Sequence, residues 1–117
     1  MTGDENEAVV TVTRREGITV VHLHGDLDDD SAPAASRALG EAATSGADRT
    51  VVDLSGTCFA DSAILHALLQ AQKAHAAAGL VLVLAGPLQP VVRRLFDVTG
   101  SGRAFRMTDS LETAMTC

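Results

Sequence analysis

Thr50-Val51-Val52-Asp53-Leu54, a loop from Ser55 to Asp61, a helix-length segment from Ser62 to Ala78, then Gly79 and Leu80-Val81-Leu82-Val83-Leu84: this stretch decides the fold. Both apolar runs are short and lack the alternating polar positions of a strand with one wet face. They read as strands buried on both sides, the situation of a parallel sheet. Between them, Ile64, Leu65, Leu68, Leu69 and Ala76 form an apolar side. His66, Gln70, Lys73 and Ala77 follow at spacings of four, three and four on the other. A helix that stops at Gly79 fits this pattern. Strand, helix and parallel strand make a right-handed crossover.

Working outward, Val9 to Thr13 alternates, Glu16-Gly17 is a hairpin turn, and Ile18 to His24 is a second strand ending at Gly25. Asp30-Ser31-Ala32-Pro33 reads as a capped helix start with proline in the first turn, the helix running to about Ser45 before Gly46. Beyond Gly86-Pro87, a helix spans about Gln89 to Val98, ending near Gly100. A last strand covers Ala104 to Met107. Asp109-Ser110-Leu111-Glu112 reads as a capping box, Asp109 the cap and Glu112 reaching back, ahead of a final helix. The order is β-β-α-β-α-β-α-β-α: an α/β domain with a mostly parallel sheet and an antiparallel N-terminal edge hairpin. Residues 1–7 read as a flexible acidic tail and 8–117 as the domain. In such sheets partners meet the loops at the carboxyl ends of strands, here Gly25–Ser31, Ser55–Ser62 and Ala85–Pro90.

Composition narrows the function. The chain has 117 residues, 46% of them hydrophobic, enough for one core that needs no disulfide or metal. Fifteen acidic against nine basic residues give a net charge of −6, with no Trp or Tyr and three Phe. That balance repels phosphates and offers bases little to stack on, so nucleic acid is not an expected partner. No apolar run reaches the ~20 residues that cross a bilayer, and the start is acidic, unlike a signal peptide. The expected location is the cytoplasm, without membrane attachment.

No enzyme constellation is present. Gly100-Ser101-Gly102 precedes a strand and lacks the rest of a dinucleotide fingerprint. Ser62 lacks the glycines of a nucleophile elbow. His22, His24, His66 and His75 include no paired metal-binding spacing, and His22 and His24, on one strand face, read as solvated. Cys58 reads as a buried small hydrophobe and Cys117 as a terminal residue; the pair has no metal-ligand spacing. Asp26, Asp28, Asp29 and Asp30 place four carboxylates in five residues. They form either a solvated loop complementing the next helix's positive end or an acidic docking edge for a basic partner. Asp61-Ser62 sits where a loop becomes a helix, so one of the two is the cap. The unpaired N–H groups there, with the helix dipole, would accommodate a phosphate on Ser62, whose charge would then alter a contact surface.

Three segments carry a resemblance. Val51 to Ser62 is similar to the signature strand, loop and helix start of STAS-domain anti-sigma factor antagonists. Gly25-Asp26-Leu27-Asp28 resembles the family's Gly-Glu/Asp-Leu-Asp, and Pro90 to Gly100 its third-helix motif. The resemblance implies a single STAS-like domain that acts by binding, not catalysis. It implies a partner that is both anti-sigma factor and serine kinase, release of a sigma factor, and loss of the complex once the serine matching Ser62 is phosphorylated. ATP then belongs to the kinase, and no cofactor or metal is expected in this chain. The expected contacts are Asp26, Asp28, Asp61, Ser62, Ala63 and His66, on a monomer or weak homodimer. Where the family continues Asp-Ser-Ser/Thr-Gly-Leu-Gly, this chain reads Asp61-Ser62-Ala63-Ile64-Leu65-His66. Either the partner has a complementary pocket or binding persists without phosphorylation. The rival reading is a STAS module that senses a nucleotide-like ligand or redox state and regulates a protein partner.

Overall fold

A computed structural model describes residues 7–116. The tail expected over 1–7 lies outside the described residues except for Glu7, as does Cys117. Strand β1 (Val9–Arg15) pairs antiparallel with β2 (Ile18–Leu27). The turn between them has positive φ at both Glu16 and Gly17, the left-handed pair that matches strand twist in a two-residue hairpin. Then follow α1 (Ala32–Ala43), β3 (Arg49–Asp53), β4 (Thr57–Ala60), α2 (Ser62–Ala77), β5 (Val81–Ala85), α3 (Pro90–Thr99), a short 3₁₀ turn, β6 (Arg106–Thr108) and α4 (Leu111–Thr116).

The sheet order is β1-β2-β3-β5-β6, parallel apart from the first pair, with β4 attached to the end of β2. Buried side chains of α1, α2 and α3 pack on one face against Val21, Leu23, Val52, Leu54, Leu82 and Leu84. Ala114 of α4, with Leu111 and Met115 beside it, meets Val20, Val51, Val83 and Ala85 on the other. The central strands are thus buried on both sides, as their unbroken apolar runs require.

Several local expectations are corrected. Thr57–Ala60 is a strand, not loop: it pairs parallel with Gly25–Leu27, and the Thr57 hydroxyl donates to the Leu23 carbonyl at 2.6 Å. That pairing extends β2 through Asp26, which therefore sits in a strand. Ser31 does not cap α1 through its side chain; the Asp28 carboxylate takes the Asp30 and Ser31 N–H groups instead. At α4 the cap is Ser110, one residue later than expected, its hydroxyl accepting from the Thr113 N–H at 3.1 Å. On α2 the buried side takes in Ala67, Ala71 and His75, while Ala76 is exposed. Alanines at 67 and 71 leave room for α1 to approach, so the buried stripe turns toward that helix.

Candidate functional site

The start of α2 organises the site. Asp61 has extended backbone angles and caps the helix: its Oδ1 accepts from the Ala63 N–H at 2.9 Å and the Ile64 N–H at 3.2 Å. The Leu65 N–H donates to the Asp61 carbonyl at 3.1 Å. Ser62 is thereby fixed as the first helical residue, with its side chain in solvent. Asp61 consumes the donors that the sequence offered to a phosphate on Ser62, leaving that residue's own N–H as the one first-turn donor Asp61 does not engage.

Beside this helix start lies an open groove of about 630 Å³. Asp29, Ala32, Pro33 and Ser36 form one wall; Ser62, Ala63, His66, Ala67 and Gln70 form the other. Small side chains on both helices make it. Ala32, Ser36 and Gly40 recur every four residues on α1, opposite Ala63, Ala67 and Ala71. The Gln70 amide lies 3.3 Å from His66 Nε2 and donates to it.

The structure brings together Ser62, Ala63 and His66 of the expected contact residues. Asp61 is engaged as the cap. Asp28 is half-buried in its own turn, where the Ser31 hydroxyl accepts from its N–H at 2.9 Å and donates to its carbonyl at 3.0 Å. Asp26 lies apart from the groove, exposed near the end of β2 opposite Phe59. Asp29, not singled out from the acidic run, is the aspartate that reaches the groove. Its signal was weak because four neighbouring aspartates look alike until the turn fixes their directions. The carboxylates of Asp28, Asp29 and Asp30 lie within 4.8 Å of one another, the one metal-capable cluster among the described residues. Two of the three are exposed, and the third accepts main-chain hydrogen bonds.

His22 is not a solvated strand histidine. Its Nδ1 lies 2.9 Å from Asp53 Oδ2, with the Thr13 hydroxyl 3.3 Å from Nε2. Asp53 Oδ1 accepts from both the N–H (3.0 Å) and hydroxyl (2.7 Å) of Ser55. Burial alone would raise the Asp53 pKa; the Ser55 hydrogen bonds and His22 outweigh it and hold the carboxyl below its ordinary value. Cys58 is half-buried in β4, its thiol donating to the Gly56 carbonyl at 3.8 Å. Among the described residues no helix is long and apolar enough to cross a membrane.

Comparisons with known proteins agree with this architecture. A family model described as STAS domain matches residues 9–114. An anti-sigma factor antagonist from Mycobacterium paratuberculosis superposes with a TM-score of 0.85 at 25% identity, covering 96% of this chain and 94% of that one. The Bacillus cell fate determinant SpoIIAA in its phosphorylated form gives 0.69 at 19% identity, covering 90% and 96%. A variant of RsbS from Moorella thermoacetica gives 0.75 at 19%, covering 91% of each chain. No curated protein matches by sequence.

Proposed function

This chain belongs to the STAS domain family, and we propose that within it the chain is an anti-sigma factor antagonist that works by binding a protein partner. The partner is an anti-sigma factor with serine kinase activity; its capture frees a sigma factor, and phosphorylation of Ser62 ends the complex. One observation carries the reading: Ser62 stands in solvent at the first position of α2, its backbone fixed by the Asp61 cap, on the rim of a groove wide enough for a partner's side chains. Likeness to a Mycobacterium paratuberculosis antagonist over nearly the whole chain supports it.

The contact surface comprises Ser62, Ala63 and His66 on α2 with Asp29 on the groove's other wall; Asp61 holds the helix start, and Asp28 and Asp26 extend the acidic edge beyond the groove. A phosphate would add ~1.5 to 2 negative charges beside Asp29 and Asp61, enough to repel a docked partner while the fold stays as it is. The chain acts in the cytoplasm as a monomer or weak homodimer. It performs no catalytic step and uses no cofactor, nucleic acid or membrane.

Intact-mass analysis and site mapping after incubation with ATP in extract from the native source, beside Ser62→Ala, test the switch. One phosphate confined to Ser62 is expected. No phosphate in an extract active on a control substrate would remove the switch. Ser62→Asp is expected to weaken binding of the isolated kinase at least tenfold with unchanged circular dichroism; equal affinity for both forms would sink the reading.

A further inference from the structure

A phosphate on Ser62 would find few main-chain donors. The Ala63 and Ile64 N–H groups already bond Asp61 Oδ1, and the Leu65 N–H bonds the Asp61 carbonyl. Its counter-charge must come from a side chain. Of the residues lining the groove that Ser62 borders, His66 is the one able to carry positive charge. It is exposed and stands four residues after Ser62 on the same helix, where side chains of successive turns lie ~5–6 Å apart at Cβ. An anion four residues ahead of a cation is also the favourable orientation on a helix.

We propose that His66 is the residue that holds phosphoserine at position 62, pairing with the phosphate across one turn of α2. The inference rests on the reading of Ser62 as the phosphorylated residue and names what receives the phosphate. The Gln70 amide N–H donates to Nε2 of the neutral ring; when the ring is charged the amide turns so that its oxygen accepts from Nε2–H, which leaves Nδ1–H for the phosphate. Asp29 faces the same space from the segment before α1, Asp61 lies at the helix start, and Lys73 stands seven residues further along α2 than His66. The two aspartates oppose the phosphate and are the same with or without His66, so replacing His66 isolates the pairing.

The test uses full-length protein with phosphoserine installed at 62 during translation, so it is independent of any kinase. Phosphorus NMR across pH 4.5 to 8.5 follows the second ionisation of the phosphate. In the wild-type background it is expected about 0.3 pH unit lower than in His66→Gln, the size of an i, i+4 ion pair. His66→Lys is expected to keep the lower value, all three folding alike by circular dichroism. Identical midpoints in wild type and His66→Gln would overturn the proposal. So would a wild-type displacement that His66→Lys fails to keep, because it would reflect packing instead of charge. Absence of phosphorylation in native extract would count against the proposed switch itself, a failure distinct from the two outcomes above.

Discussion

Asp53 closes β3 with both carboxylate oxygens engaged, one by His22 and the other twice by Ser55. It ties β2 to β3 and sets the turn that leads into β4. Because its pKa is depressed in the folded state, its contribution to stability is complete above the ordinary value of 3.8 and is lost as pH falls through the lower, folded value. Asp53→Asn is expected to cost about 1–2 kcal/mol near pH 7, the scale of hydrogen bonds to a charged group. Urea unfolding from pH 7 to pH 2 checks this: the gap between the two proteins should close below about pH 4. A gap constant with pH would mean that shape, not charge, sets the role of Asp53. The sequence marked Asp53 only as part of a buried strand. Its tie to His22 depends on parallel register between β2 and β3, which no local spacing encodes.

At the scale of elements, α2 is fastened at both ends by polar groups. Asp61 holds its start, and His75 holds its last turn to β3. His75 is 1% exposed; its Nδ1–H donates to the Ala71 carbonyl at 2.8 Å and its Nε2 meets the Thr50 hydroxyl at 2.9 Å. Thr50→Val is expected to cost about 1–2 kcal/mol by leaving that nitrogen buried without a partner. Thr50→Val with His75→Leu should recover most of the loss, because both partners are then apolar. Denaturant midpoints of the two singles and the double decide it; simple additivity would show that the two residues are not coupled. The long helix and the central strands were legible because burial leaves an unbroken mark on sequence. His75 was not, since its partner comes from another element. Nor was β4, whose four residues have no period of their own and become a strand only where the end of β2 offers an edge.

Across the whole molecule, acidic charge gathers most densely at one place. Asp26, Asp28, Asp29, Asp30 and Asp61 fall at the end of β2, in the turn before α1 and at the start of α2. Arg93, Arg94, Arg103 and Arg106 share the stretch from α3 to β6 with Asp97, and the other basic residues are spread over β1, α1, β3 and α2. The sequence showed the acidic run but not its geometry: one turn directs Asp29 to the groove, ties Asp28 to its own backbone and leaves Asp26 on the strand. In the proposed complex an acidic rim around a mostly uncharged groove acts at long range, steering a basic partner toward Ser62 before contact. Exposed charges are screened beyond about 8 Å at physiological salt, so this steering should fade as salt rises. Stopped-flow association with the isolated kinase is expected to slow by about tenfold between 50 and 300 mM salt, with little change in dissociation. Asp29→Asn with Asp30→Asn should flatten that dependence and leave the thermal midpoint within a few degrees, since both side chains are exposed. An association rate indifferent to salt would place recognition in the groove alone, on the small residues of α1 and α2, and leave the acidic rim as a solvated turn.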